Sequence, residues 1–174
     1  GQYKEAEKLA IFMTKEFPQH QFAWKVLAAV LKQSGRINES LIACQKSLKL
    51  DPQDSEAHNN LGVILQELGK LNEAEVNYRK AIALVPDYAE AYNNLGVILK
   101  IQGNLKDAEA SYRKAIALMP NFTDAHNNLG VILQGLGKLE EAEVSNRKAI
   151  ALKPGYAEAH YNLGVTLEKL ERLE

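Results

Sequence analysis

Residues 55–88 read SEAHNNLGVILQELGKLNEAEVNYRKAIALVPDY, and this stretch decides the fold. Apolar residues recur at helical spacing in both of its halves, so each half predicts an amphipathic helix. The two sets are Ala57, Leu61, Ile64, Leu65 and Leu68, then Leu71, Ala74, Tyr78, Ala81 and Ile82. Gly69 between them marks a helix end, and Pro86 ends the second helix because proline cannot continue the hydrogen-bond ladder. The stretch therefore predicts helix, turn, helix, turn, without the alternation typical of a strand.

The same pattern recurs along the chain with a period of 34 residues. The evenly spaced prolines mark it most clearly: Pro18, Pro52, Pro86, Pro120 and Pro154. With proline numbered position 32, the complete repeats are 21–54, 55–88, 89–122 and 123–156. Residues 1–20 then carry the trailing helix of a partial repeat, and residues 157–174 carry the leading helix of another. A fixed period of this length is typical of a solenoid, so we treat residues 1–174 as one array.

Small residues also recur at fixed positions, and they carry a family resemblance. Glycine in a helix interior costs about 1 kcal/mol relative to alanine, so its repetition at position 8 implies a close helix approach. Together with an aromatic residue or His at position 4, Leu at 7, Ala at 20 and 27, Tyr at 24 and Pro at 32, the pattern resembles the tetratricopeptide repeat. The resemblance implies an all-α, right-handed superhelical solenoid whose first helices line a concave groove. Position 24 departs from the pattern at Cys44 and Asn146, where we expect looser packing.

Composition narrows the classes of function. Hydrophobic residues make up 46% and charged residues 25% of the 174 residues, which is typical of a folded chain. The net charge of −1 argues against nucleic-acid binding and against electrostatic binding to a membrane. No apolar run is long enough to span a bilayer and no secretory signal is recognisable. With its single cysteine, Cys44, the chain is expected to be cytoplasmic.

The sequence contains no recognisable catalytic or cofactor motif. There is no phosphate-binding glycine loop after a strand, no H-E-x-x-H and no G-x-S-x-G. His58, His126 and His160 share position 4, but they lie at least one repeat apart, too far to share a metal ion. We therefore predict a protein that is not an enzyme, with no catalytic residues, no metal site and no cofactor.

The solvent face predicted for the first helices is rich in amides and valine rather than in charges. Asparagine is a mediocre helix former, so its repetition needs a reason. The residues are Asn60, Asn94, Asn128 and Asn162 at position 6, Asn59, Asn93 and Asn127 at position 5, and Val63, Val97 and Val131 at position 9. Each side-chain amide offers a donor and an acceptor that match a peptide bond. We predict that these residues line a partner-binding groove; alternatively, the amides bond to the adjacent repeat or stay hydrated.

The repeated asparagine at position 6 is similar to the asparagine ladder in the repeat domain of O-linked N-acetylglucosamine transferases and in many bacterial repeat proteins. This resemblance implies peptide binding only, because the transferase's catalytic domain is absent from the sequence. The leading hypothesis is a non-catalytic scaffold for a protein or peptide partner. Two alternatives stay open: the substrate-recruiting region of a larger enzyme such as a glycosyltransferase, or a structural spacer that self-associates through open ends. At one end the residues without a covering helix are Leu163, Leu167, Leu170 and Leu173.

Overall fold

The computed structural model describes the backbone of residues 2–171 and the side chains of residues 5–171. Every regular element in this range is an α-helix, as predicted. The helices are α1 Gln2–Glu16, α2 Gln21–Gln33, α3 Ile37–Leu50, α4 Ser55–Glu67, α5 Leu71–Leu84, α6 Ala89–Ile101, α7 Leu105–Leu118, α8 Thr123–Gly135, α9 Leu139–Leu152 and α10 Ala157–Glu171. The chain divides into two compact units, the first containing α1–α5 and ending at Pro86, the second containing α6–α10. Leu173 lies outside the described residues.

A glycine in the left-handed conformation closes the turn inside each complete repeat. Gly69 has a φ of 73°, and its N–H donates to the carbonyl of Gln66 at 3.0 Å. The N–H of Lys70 donates to the carbonyl of Leu65 at 2.9 Å. This pair of bonds is the Schellman motif, which satisfies the last carbonyls of the first helix and needs a residue without a Cβ. The second helix can therefore begin at Leu71 and pack back against the first.

A close helix approach in the second and third repeats joins position 8 to position 24. A Cβ placed on Gly62 would lie 2.6 Å from the ring of Tyr78, and one on Gly96 would lie 2.6 Å from Tyr112. Both tyrosines are fully buried. The prediction that glycine at position 8 marks a close approach is confirmed for Gly62 and Gly96, whereas a Cβ on Gly164 would meet no described residue within 4 Å.

The two departures at position 24 have opposite outcomes. Beside Cys44, in the first unit, a cavity of about 170 Å³ confirms the looser packing we expected. At Asn146 the expectation is wrong, because the buried amide fills the space in which a Cβ of Gly130 would stand. Its Nδ2 donates to Oγ1 of Thr166 at 3.3 Å. Thr166 replaces the isoleucine found at position 10 of the three preceding repeats, so a polar pair stands here in place of tyrosine and isoleucine. The Oδ1 atom of Asn146 is buried without a hydrogen-bond partner among the described residues.

Ring nitrogens at position 4 tie repeats to the loop before them. Each hydrogen bond runs to the proline carbonyl six residues upstream: Trp24 to Pro18 at 2.8 Å, His58 to Pro52 at 3.1 Å, His126 to Pro120 at 2.9 Å and His160 to Pro154 at 2.8 Å. Because a carbonyl can only accept, Nε2 carries the proton in the three histidines. These side chains therefore hold the turn between repeats.

The described residues contain neither a membrane-spanning helix nor a cluster of metal-binding side chains. None of the helices has both the length and the apolar character that crossing a membrane requires. Among the same residues, no group of three or more His, Cys, Asp and Glu side chains could hold a metal ion.

Candidate functional site

The second unit carries a half-buried face made of positions 6 and 9 of its first helices. We call this set the amide face; its members are Asn94, Val97, Asn128, Val131 and Asn162. Positions 8, 10 and 11 of α6 and α8 are buried instead, because they point into the helix pair. In the first unit, Asn60 and Val63 hold the same two positions on α4 and are also half-buried.

Within the second unit, an asparagine at position 6 donates to the asparagine at position 5 of the preceding repeat. Nδ2 of Asn128 donates to Oδ1 of Asn93 at 3.1 Å, and Nδ2 of Asn162 donates to Oδ1 of Asn127 at 2.9 Å. A side-chain amide has two N–H donors and one carbonyl acceptor. Each of these bonds therefore uses one of the two N–H donors of the position-6 amide. The other N–H and the Oδ1 atom of Asn128 and of Asn162 bond to no described residue.

The position-5 asparagines require a correction to the groove predicted from the sequence. Asn59, Asn93 and Asn127 are only 7%, 8% and 1% exposed. Asn127 shows the physical reason, since it points toward the next first helix, where Nδ2 of Asn162 and Oε1 of Glu158 cover it. These side chains are thus too buried to line a ligand groove. In the second unit they hold the position-6 amides from behind.

Position 6 has different surroundings in the first unit. The preceding position 5 is Lys25 rather than asparagine, and its Nζ lies 3.0 Å from Oδ2 of Asp54 and 2.5 Å from Oε2 of Glu56. Although burial acts in the opposite direction, hydrogen bonds to Glu56 and Asp54 raise the pKa of Lys25. The lysine is therefore engaged by carboxylates, and the amide of Asn60 makes no hydrogen bond with the described part of the chain.

For Asn128 and Asn162 the structure shows the alternative given above, in which the amide bonds to the adjacent repeat, but sequence reasoning did not identify the position-5 asparagines as the partners. The signal was present, because each bonded pair is separated by 35 residues, one repeat plus one position. Missed as well was the network at Gln134, whose Nε2 donates to Oγ1 of Thr166 at 2.5 Å and to the carbonyl of Asn162 at 2.7 Å. That network anchors the helix turn that carries Asn162.

Comparison with protein families finds the same repeat along most of the chain. Three models described as tetratricopeptide repeat match residues 23–54, 53–121 and 111–144, and a model described as TPR repeat matches residues 135–171. Among curated proteins, no sequence matches this one significantly.

The solved structures that are similar to this chain include those of MamA, YrrB and PilF. MamA is 26% identical, with a TM-score of 0.79 over 90% of this chain and 91% of its own. YrrB, described as a TPR protein with an unusual peptide-binding site, is 25% identical, with a TM-score of 0.79 over 95% of this chain and 86% of its own. PilF of Pseudomonas aeruginosa is 25% identical, with a TM-score of 0.80 over 87% of this chain and 69% of its own. The family matches and these structures together identify the chain as an array of tetratricopeptide repeats.

Proposed function

We propose that the chain is a non-catalytic protein-interaction scaffold that binds an extended segment of a partner on its amide face. One observation carries the proposal. The side-chain amides of Asn128 and Asn162 are each held by one hydrogen bond to the preceding repeat. In each amide, Oδ1 and the second N–H of Nδ2 have no partner in the described chain. A ligand would meet amides that are already oriented, which reduces the entropy lost on binding.

The chemistry of this face suits a peptide backbone. Neighbouring helices pack about 8–10 Å apart, and an extended chain rises about 3.3 Å per residue. Successive position-6 amides would therefore meet an extended peptide about every third residue. Val97 and Val131 would provide apolar contact for its side chains. Such binding would depend more on the backbone of the peptide than on its side chains.

The similar protein YrrB supports a peptide ligand for this fold, since its structure is described as having an unusual peptide-binding site. The proposal for this chain does not depend on the location of that site. The substrate-recruiting region of a larger enzyme would use the same peptide-binding face, so that alternative changes the protein's context and leaves the site as proposed.

The test begins with peptides selected for binding to the full chain from a library of random 12-residue peptides. Affinity is then measured by fluorescence anisotropy for the wild type and for Asn128→Ala/Asn162→Ala. We expect at least a tenfold loss of affinity in the double variant. Asn38→Ala is the matched control, because Asn38 is an exposed asparagine on α3, away from the first helices. Equal affinity in all three proteins would refute the proposal.

A second candidate, self-association, is favoured by exposed apolar side chains on the first helix. Leu9 and Phe12 on α1 are 60% and 56% exposed, whereas Leu163, Leu167 and Leu170 on α10 are half-buried. If α1 is the contact, the chain should form dimers or longer assemblies in light scattering at high concentration. Leu9→Ser/Phe12→Ser should return it to a monomer. A monomeric wild type under these conditions would exclude this candidate.

A further inference from the structure

The first repeat lacks the tyrosine that fills the space between the paired helices of the second and third repeats. In those repeats the ring of Tyr78 or Tyr112 lies against a glycine at position 8. In the first repeat position 24 is Cys44 and position 8 is Ala28. The added methyl group is much smaller than the missing phenol ring, so the exchange leaves the cavity of about 170 Å³ described above. We call it the Cys44 pocket.

The pocket has the size of a site for an aromatic ring. Besides apolar residues, its lining includes the polar side chains of Lys25, Lys32, Gln33 and Asn60. An apolar cavity of about 150 Å³ in another protein stays dry and binds benzene. The inner wall here is formed by Ala28, Cys44, Ala57 and Ile64. All four are buried, and the Cys44 thiol is engaged by the carbonyl of Ala57 at 3.5 Å. Burial also raises the pKa of this thiol to about 12, so the thiol is uncharged at neutral pH.

The mouth of the pocket lies on the side of the first helices. It is lined by Ala29 at position 9 and by Asn60 at position 6, the positions that form the amide face in the second unit. Ala29 is exposed and replaces the valine found at position 9 of the following repeats, which widens the entrance. Asn60 brings an amide without a hydrogen-bond partner in the described chain. A peptide lying over α2 and α4 could therefore bond to Asn60 and insert a side chain beside it.

The repeats also indicate what the far end of an inserted ring would meet. In the second repeat the hydroxyl of Tyr78 donates to Oε1 of Gln66 at position 12, at 3.1 Å. Position 12 of the first repeat is Lys32, which also lines the pocket. Its ammonium group lies 3.4 Å from Glu67, and both side chains are more than a third exposed, so this ion pair holds the lysine weakly. The third repeat also has a lysine at position 12, Lys100, and there the buried hydroxyl of Tyr112 has no hydrogen-bond partner among the described residues. A lysine at position 12 therefore gives no reason to prefer a phenol over a phenyl ring.

We propose that the Cys44 pocket binds the aromatic side chain of a partner peptide. The peptide part of this statement rests on the proposed function, whereas the pocket itself can be tested with a small molecule. An aromatic anchor would give the array selectivity that backbone contacts do not provide. Buried aromatic anchors dominate the energy of many protein interfaces.

The probe is p-cresol, which is the side chain of tyrosine without its backbone. It is titrated into the full chain while the amide signals of Ala28, Cys44 and Ala57 are followed by NMR. The decisive variant is Ala28→Gly/Cys44→Tyr, which restores the glycine–tyrosine pair of the second and third repeats and fills the pocket. Cys44→Ser is the matched control, since it keeps the pocket open. If the filled variant does not fold, Ala29→Val narrows the entrance at an exposed position and takes its place.

We expect saturable shifts in the wild type and in Cys44→Ser, and at least a tenfold weaker affinity in the filled variant. Toluene, which lacks the hydroxyl group, should also bind the wild type, because the pocket contributes its volume and its buried wall rather than a bond to the phenol oxygen. Absence of saturable shifts in the wild type, or equal affinity in the filled variant, overturns the proposal.

The double variant of the amide face distinguishes peptide binding on that face from aromatic binding in the Cys44 pocket. Asn128→Ala/Asn162→Ala should bind p-cresol like the wild type, because both changes lie in the second unit. If p-cresol binds to the wild type but Asn128→Ala/Asn162→Ala binds the selected peptides with normal affinity, the pocket proposal is supported and the proposal of peptide binding on the amide face is refuted. If the peptides bind on the amide face but keep their affinity when their aromatic residues are changed to alanine, the pocket proposal is refuted.

Discussion

Gly62 on α4 and Tyr78 on α5 share one space, since a Cβ on Gly62 would lie 2.6 Å from Cε1 of the tyrosine ring. The ring is fully buried and its hydroxyl is bonded to Gln66, so it cannot move aside without cost. The first repeat shows the complementary solution, in which Ala28 is tolerated because Cys44 replaces the ring. Positions 8 and 24 therefore act as a pair.

Gly62→Ala should destabilise the protein even though alanine is the better helix former. Overpacking a core costs about 1–3 kcal/mol, which exceeds the gain in helix propensity of about 1 kcal/mol. Gly164→Ala is the control, because a Cβ there meets nothing within 4 Å, and it should stabilise the protein slightly. Urea denaturation measures both changes. Stabilisation by Gly62→Ala would contradict this prediction, because it would show that the ring of Tyr78 can shift without a large cost.

Thr166→Ile should destabilise the fourth repeat, because Nδ2 of Asn146 and Nε2 of Gln134 would both lose an acceptor. Leaving a buried polar group unsatisfied costs about 1–3 kcal/mol. Adding Asn146→Tyr should recover much of this loss, since the pair would then match Tyr112 of the third repeat and the isoleucine that follows it at position 10. A double-mutant cycle tests the coupling. Additive effects would contradict the account of Asn146.

Asp54 should make the first unit sensitive to acid. Although burial opposes it, the N–H of Ala57 together with Lys25 and Gln21 holds the pKa of the Asp54 carboxyl below its ordinary value. Because the folded-state pKa is depressed, the ionised group stabilises the fold above the ordinary carboxyl pKa, and this stabilisation is lost as the pH falls through the folded-state value. Asp54→Asn keeps a good helix cap and removes the charge. The thermal midpoint of this variant should fall less steeply than that of the wild type below about pH 5; parallel curves would contradict the prediction.

Much of this architecture could be predicted from the period alone. The repeats expected to begin at Gln21, Ser55, Ala89 and Thr123 begin there as helices α2, α4, α6 and α8. Periodicity works here because the same Gly turn and the same Pro loop recur, so that each boundary is supported by several copies.

The fate of single side chains was harder to predict, because it depends on the neighbouring repeat. A helical wheel places position 5 near the solvent face, but in the second unit the following first helix covers Asn93 and Asn127. Asparagine replaces tyrosine at repeat position 24 only once, at Asn146. The matching threonine at repeat position 10, Thr166, also occurs only once. A pair that occurs once leaves no periodic signal.

Asn93→Ala should weaken peptide binding although Asn93 is too buried to contact a ligand. The change removes the acceptor that orients Asn128, so the amide must lose rotational freedom on binding. We expect a loss of about threefold to tenfold in affinity, smaller than that of Asn128→Ala. Crystallography or NMR of the variant should find Asn128 in more than one rotamer. A loss larger than that of Asn128→Ala would mean that Asn93 itself contacts the ligand.

The most direct test of the central claim is the affinity of Asn128→Ala/Asn162→Ala for peptides selected on the wild-type chain, measured together with its thermal unfolding. Both side chains are half-buried, and each makes a single side-chain hydrogen bond within the described chain. The account predicts at least a tenfold loss of affinity with a thermal midpoint close to that of the wild type and of Asn38→Ala. Unchanged affinity in a folded double variant would contradict it.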